Sequence, residues 1–314
     1  MISFIVVGEN ESKHLSLCLK SIFNAIKYNN YKNYEVIYID SNSNDDSIKK
    51  ALTFKNVKIY KLLTNENAAN ARNLGAEKSK GDILFFIDAD MEIVSETLKI
   101  IYDKNNGLEY PFISGNFKDK FKTKNGYRLK KYYDLNKSTF DFITGGLFLI
   151  KKKLWFKVNG MRSIFRRSQD LDLGLRLSKI GFPLLRKKEV LAIHNTIDYN
   201  NPKRFISDLI NGNFLYQGLL YKKNILNKFL FKKYIYKELT FFTLIFSSFF
   251  SLYFKSNFLF IYILSLVLKI LYKKQFFKSY FYFFSYIVHD IFLIYSILFF
   301  WPKQLKINYI TIRS

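Results

Sequence analysis

The chain has 314 residues, 49% of them apolar and 19% aromatic, with a formal net charge of +25. That apolar share excludes a disordered chain, and the length sets one or two domains with a sizeable core. A single cysteine excludes an internal disulfide, and the basic residues are spread out, without zinc-ligand spacing, an RNA-recognition signature or a compact basic arm, so an anionic membrane suits this charge better than nucleic acid.

The chain begins at once with a strand-like run, ISFIVV, with no charged segment or small-residue cleavage site before it. This predicts no signal peptide and an N-terminal domain in the cytoplasm. Strands are expected at 2–7, 34–39, 57–60 and 83–87. Between the first two, Leu15, Cys18, Leu19, Ile22, Ala25 and Ile26 recur at helical spacing, which makes Cys18 a buried small hydrophobe. The stretch 65–82 reads as a helix ending near Gly81. Strands alternating with helices predict an α/β fold, a mainly parallel sheet covered on both faces, with ligands beyond the carboxyl ends of the strands. Further strands are expected at 110–118 and 143–150, a helix at 171–181 closed by Gly181, and one long amphipathic helix over 203–222.

From Leu239 the composition changes. The run 239–254 has no charge, 258–271 carries one Lys, and 280–301 carries His289 and Asp290. A full membrane span needs about 20 apolar residues. The third run meets that, and the first two read as a tight helical hairpin broken at Lys255-Ser256-Asn257. Lys232, Lys233, Lys237, Lys273 and Lys274 would face the cytoplasm, and Lys303, Lys306 and Arg313 would prefer the same side, so the third run is either a span or re-entrant and the total is two or three. The basic, aromatic stretch 203–237 suits the surface of anionic membrane lipids. The expected division is a domain of 1–222 and amphipathic, transmembrane or interfacial helices over 223–314.

The chemistry-bearing residues gather at predicted strand ends. In LFFIDADMEIV, Asp88 and Asp90 point to the same side of an extended segment. Two hard oxygen ligands suit Mg²⁺ or Mn²⁺, which in turn clamps a diphosphate; a strand-end turn with solvated carboxylates is the plainer alternative. Asp40 ends the second strand, where it either accepts hydrogen bonds from a nucleoside or sits in a turn, with Ser43 or Asn44 capping the next helix. Gly8-Glu9-Asn10-Glu11 ends the first strand at the same edge. In Thr144-Gly145-Gly146 two glycines let backbone N–H groups approach a sugar or phosphate, or simply form a loop. Asp170 stands at a helix start, where it suits a helix cap and where the first turn favours an ionised carboxylate. Asp172 lies about 200° further round that helix. His194 follows an apolar run and is either a metal ligand or structural, and Trp155 either stacks on an acceptor or packs in the core.

Five stretches, FIVVGENESKHLSLCLKSI, YIDSNSNDDS, NAANARNLGAEKSKGDILFFIDAD, TGGLFLIKKKLW and SQDLDLGLRLSKIG, resemble the family-2 glycosyltransferases of the GT-A fold in order and spacing over roughly residues 1–220. The resemblance implies a GT-A type, Rossmann-like nucleotide-diphospho-sugar transferase domain followed by a hydrophobic helical membrane region, in a membrane-anchored bacterial enzyme. It implies Asp90 as direct metal ligand, Asp88 on the ribose or on the metal through water, and His194 as a further ligand. Val7, Gly8, Glu9 and Asn10 would cradle the base, Asp40 the nucleoside, and Arg72 the nucleotide. Val7 stands where the family often has Pro, and Glu9 where it has Tyr or Arg. Thr144, Gly145, Gly146 and Gln169 would meet donor sugar and acceptor. Asp170 would be the base, with Gln169 in place of the usual preceding Glu. The implied cofactor is Mn²⁺ or Mg²⁺ and the implied donor a nucleotide-diphosphate sugar, UDP-linked by preference. Inverting transfer to a lipid-linked or glycan acceptor at the cytoplasmic membrane face follows, with a polyprenyl phosphate acceptor or a degenerate nucleotide-sugar binder as alternatives. No Gln-x-x-Arg-Trp run of the processive synthases is present, which predicts single-sugar addition. A sugar-1-phosphate nucleotidyltransferase would need a glycine-rich, Arg-containing loop that VVGENES lacks.

Overall fold

The computed structural model describes residues 1–64, 67–103, 107–123, 126–196, 202–234, 237–275, 279–304 and 306–314. They form two units, one of 1–201 with 303–314 and one of 202–302. The first opens with β1 (Ile2–Gly8), α1 (Leu15–Tyr28), β2 (Tyr34–Asp40), α2 (Ser47–Leu52), β3 (Val57–Leu62), α3 (Ala68–Lys78) and β4 (Ile83–Asp88). It continues through β5 (Met91–Ile93), α4 (Thr97–Ile101), the short pair β6 (Tyr102–Asp103) and β7 (Gly107–Leu108), β8 (Phe112–Thr123), β9 (Gly126–Lys131), β10 (Thr139–Asp141), β11 (Leu147–Lys151), α5 (Lys152–Lys157), α6 (Gln169–Lys179) and β12 (Leu184–Asn195), and β13 (Tyr309–Arg313) returns to it from the end of the chain.

The main sheet runs β10-β12-β8-β11-β4-β1-β2-β3-β13. β4, β1, β2 and β3 are parallel, as their near-continuous apolar sequences require of strands covered on both faces. Alternation divides the core: Ile2, Phe4 and Val6 pack to one side, with Leu15, Cys18, Leu19 and Ile22 of α1, and Ile5 and Val7 pack to the other, with Ala71, Leu74 and Trp155. Trp155 is buried and its ring lies 4.6 Å from that of Phe86, so it packs in the core and does not stack on an acceptor. Register brings Gly8 opposite Asp40 and Val7 opposite Asp88, so the carboxyl ends of β1, β2 and β4 share one edge. Because β11 is antiparallel to β4 and β8 to β11, the loop before β11 and the far ends of β8 and β12 reach that edge too.

The second unit is helical, with α7 (Pro202–Ile210), α8 (Leu215–Lys223), α9 (Lys228–Tyr234), α10 (Leu239–Tyr253), α11 (Leu259–Tyr272) and α12 (Ser279–Phe299). The single helix expected over 203–222 is two, because Gly212 turns the chain with a positive φ of 63°. α10 and α11 form the expected hairpin, reversing near Lys255. α12, at 21 residues, is the one helix among the described residues long and apolar enough to cross a membrane. Phe246, Leu252, Phe260, Leu264, Leu268, Leu298 and Phe299 are exposed on these three helices. The side chains of Lys232 and Lys233, and residues 235–236 of the basic stretch, lie outside the described residues, as do 65–66 at the start of the third predicted helix.

β13 was not anticipated. It pairs antiparallel with β3, and Arg313 donates to the carbonyls of Val57 at 2.8 Å and Leu52 at 3.2 Å. Arg313, grouped by charge with Lys303 and Lys306 on the cytoplasmic side, thus ties the chain end to the sheet unit.

Candidate active site

The shared strand edge opens into a cleft of about 240 Å³ lined by Val7, Gly8, Glu9, Glu11, Ser41, Ala68, Asp88, Ala89 and Asp90. Its floor is backbone: Asp88 N–H donates to Gly146 O at 2.8 Å and Ala89 N–H to Val7 O at 2.9 Å. A Cβ on Gly8 would stand 2.6 Å from that of Ala89, and one on Gly146 would overlap the Asp88 carboxylate, so both glycines are where side chains do not fit.

Asp88 is held by Arg72. α3 starts where Asn67 caps the Asn70 N–H at 2.8 Å, and it carries Arg72, only 3% exposed, to 2.5 Å from Asp88 Oδ1. Burial raises the Asp88 pKa against the pull of Arg72, and the Asp90 charge adds to the rise. Arg72 is thus an interior ion pair and not a surface one.

Asp90 belongs to a second chain of contacts. His194 Nε2 lies 3.2 Å from Asp90 Oδ2, and His194 Nδ1 lies 2.8 Å from Asp119 Oδ1. Asn195 N–H donates to Asp90 O at 2.9 Å. Burial pulls the His194 pKa down, but the hydrogen bonds and charges of Asp90 and Asp119 outweigh it and carry it up to about 9. Asp119 escaped the sequence reading. It sits in a Lys-Asp-Lys run with no motif around it, and only the pairing of β8 with β12 sets it opposite His194. Asp90 Oδ1 is buried and has no hydrogen-bond partner.

That orphaned oxygen fits a divalent cation, as does the donor set of carboxylate and imidazole. Asp88, Asp90 and His194 do not form a closed three-ligand cage, since the one such group among the described residues lies elsewhere, in the helical unit. An open site suits Mg²⁺ or Mn²⁺, which take one or two carboxylates and fill the remaining positions with water and substrate phosphate oxygens. Glu11, also in the cleft, is pushed up to about 7 by burial and then by the charges of Asp90 and Asp88. His194 protonated and Glu11 neutral both disfavour a cation, and both states lose their protons as pH rises. The apparent Mn²⁺ affinity is therefore expected to climb between pH 6 and 9, with protons released on binding, measurable as buffer-dependent heats in calorimetry.

Asp170 enters from α6, whose start is marked by Ser168 with φ 62°. Its carboxylate accepts N–H groups of Leu171 and Gly145 and lies near Arg72. Burial nonetheless raises its pKa above the ordinary carboxylate value, the opposite of what the helix start alone suggested. Gln169 Oε1, beside it, is buried without a partner. Asp172 faces away, as its rotation implies: it is fully buried between Arg162 and Arg176, each at 2.8 Å, and is structural. Thr144 is buried and its Oγ1 turns to Gly145 O at 3.1 Å, so it presents no side chain to the cleft. A Cβ on Gly174 would overlap the Phe142 carbonyl. Gly174→Ala is expected to cost about 1–3 kcal/mol in urea unfolding and to push α6, with Asp170, off the sheet.

Asp40 and Asn10 shape the cleft from behind. Asp40 is 0% exposed, accepting Tyr38 O–H at 2.9 Å and Ser43 N–H at 2.8 Å. These bonds brace the loop that presents Ser41. Asn10, with φ 56°, donates its N–H to Ser43 Oγ and accepts Asn44 N–H, both at 2.9 Å. Neither Ser43 nor Asn44 caps α2: the cap position is Asp46, which makes no side-chain cap bond, and Asp45 Oδ1 accepts Ser47 N–H at 2.9 Å from one residue further back. Ser41 and Ala68 line the cleft without having been singled out in the sequence, and Glu11 was noted there only as part of the polar end of the first strand.

Residues 3–171 match the sequence model described as glycosyl transferase family 2. A relative from Haemophilus influenzae named as an uncharacterized glycosyltransferase is 35% identical over 103 residues, 32% of this chain and 40% of that one. The Escherichia coli UDP-Glc:alpha-D-GlcNAc-diphosphoundecaprenol beta-1,3-glucosyltransferase WfgD is 30% identical over 120 residues, 37% of this chain and 46% of that one. The crystal structure of S. aureus TarS 1-349 in complex with UDP superposes with a TM-score of 0.53 at 16% identity, covering 72% of this chain and 65% of that one, a likeness of fold. Each match spans less than two thirds of the other protein.

Proposed function

The chain belongs to glycosyl transferase family 2, and from that premise we propose that it transfers a single sugar, with inversion, from a nucleotide-diphosphate sugar to a hydroxyl of a lipid-linked glycan. The observation that carries the proposal is the buried, partnerless Oδ1 of Asp90, which would suit a divalent cation whose remaining positions a phosphate-bearing donor fills.

In this reading Asp90 and His194 would hold Mn²⁺ or Mg²⁺, with Asp88 beside them. The ion, when bound, neutralises the diphosphate of the leaving group. The backbone of Val7 and Gly8, with Glu9 and Ser41, forms the nucleotide side of the cleft, while Asp40 and Asn10 hold the loop that shapes it. Arg72 keeps Asp88 aligned. Gly145 and Gly146 leave room for the donor sugar. Asp170, its pKa raised by burial, takes the proton from the acceptor hydroxyl as that oxygen attacks the anomeric carbon. A single displacement inverts that carbon, and no side chain is acylated or glycosylated on the way.

WfgD, as its name states, uses a diphosphoundecaprenol-linked acceptor, and TarS has been crystallised with UDP. Together with the length of α12 and the exposed apolar side chains of α10–α12, they favour a UDP-sugar, a polyprenyl-diphosphate-linked acceptor and a site at the cytoplasmic face of the membrane. A polyprenyl phosphate acceptor is the second reading, and a donor-binding protein without turnover the third, kept by Gln169 in the place of Glu. The test is hydrolysis and transfer across a panel of nucleotide sugars, UDP-linked first, with Mn²⁺ or Mg²⁺. Cation-dependent turnover of one donor is expected; no turnover and no cation-dependent donor binding would sink the proposal.

A further inference from the structure

The helical unit contains a polar group that sugar transfer does not use. Glu238, just before α10, is 2% exposed, and Asp290, in the middle of α12, is 0% exposed. His289 Nδ1 lies 3.2 Å from Asp290 Oδ1 and 3.8 Å from Glu238 Oε2. One donor atom of each of the three lies within 4.8 Å of the others. Ligands held about 2.1 Å from a tetrahedral zinc stand about 3.4 Å apart, so only small adjustments separate this trio from such a shell.

The outer oxygens are already oriented. Tyr221 O–H donates to Glu238 Oε1 at 2.6 Å, and Tyr262 O–H to Asp290 Oδ2 at 3.2 Å. Each carboxylate thus has one oxygen fixed by a phenol and the other turned toward His289, the way partners behind a metal site aim its ligands. Glu238 Oε2 is buried and has no hydrogen-bond partner. Lys269 is one neighbouring cation; it donates to Thr240 Oγ1 at 3.0 Å and lies 4.4 Å from the Tyr286 ring centroid, so its ammonium is not bonded to either carboxylate. Two buried carboxylates in an apolar unit are costly unless a proton, a cation or a metal compensates them.

We propose that Glu238, His289 and Asp290 bind one zinc-class divalent cation, which ties the start of α10 to α12. Nitrogen and carboxylate donors in a closed, three-residue set suit zinc. The inference is independent of the sugar-transfer proposal, and its test removes the other site. The full chain carrying Asp90→Asn, purified in detergent and stripped with chelator, is titrated with Zn²⁺ by calorimetry and assayed for retained metal after desalting. One equivalent is expected, with a rise in Tm. Adding Glu238→Gln, nearly isosteric, should weaken binding at least tenfold, and adding His289→Ala should abolish it while helical circular dichroism persists. Should His289→Ala not fold, Glu238→Gln decides. If the Asp90→Asn chain takes up no stoichiometric zinc, or if Glu238→Gln binds it as tightly, the trio is a protonated ion-pair network and the proposal fails.

Discussion

Asp170→Asn is expected to lower kcat for transfer to a hydroxyl acceptor by about 10²- to 10⁴-fold, the usual worth of a positioned general base, while donor affinity stays within a few-fold. Asparagine keeps the shape and one carbonyl oxygen, so the N–H groups of Gly145 and Leu171 that now meet the carboxylate keep an acceptor. What is lost is the proton acceptor. The raised pKa adds a second expectation. A base must be ionised to act, so kcat/KM of the native chain falls as pH drops through a value above the ordinary carboxylate range. The variant should lose that acid limb along with the rate. The same substitution separates the three readings of function. A phosphate acceptor arrives ionised, and Asp170→Asn would then change little. A donor binder without turnover would show no rate in either chain. A steep loss with intact donor binding supports the hydroxyl acceptor.

Asp90→Asn is expected to cost about 10²- to 10³-fold in kcat/KM and to remove the response to Mn²⁺, because electrostatic stabilisation of the leaving diphosphate is the largest contribution assigned to the cleft. The structure adds a signature beyond rate. His194 is carried up to about 9 by two carboxylates together. With Asp90 neutral, only Asp119 remains, and the imidazole pKa should fall toward its ordinary value, visible in the proton NMR titration of that ring. Unchanged cation dependence in Asp90→Asn would refute the metal assignment, and an unchanged His194 titration would refute the contact network on which it is built. Asp119→Asn should act in the same direction more mildly, weakening Mn²⁺ binding about 10- to 100-fold, since it orients a ligand and does not touch the ion.

These expectations differ in how far the sequence foresaw them. The four parallel strands, the buried face of α1 and the hydrophobic hairpin of α10 and α11 follow from periodicities local to each segment, and the structure has them where the pattern put them. Asp88 and Asp90 were legible for the same reason: a strand end and an i, i+2 spacing lie within one short stretch. Asp40 was also seen, but its protein partners were not. That Tyr38 and Ser43 donate to it depends on how tightly the loop after β2 folds back, which no spacing reveals. The break of 203–222 into two helices was written in Asn211-Gly212-Asn213 and outweighed there by the apolar period around it.

By itself the sequence determined the α/β class, the edge at which polar groups collect and the apolar character of the last third, because each is a property of neighbouring residues. Only the tertiary structure decided that Asp119 backs His194, that Gly145 meets Asp170, that β13 closes on β3 and that Glu238 meets His289 and Asp290. Each of those contacts joins segments well apart in the chain, and strand register, helix approach and burial set them jointly, so no stretch read alone contains them.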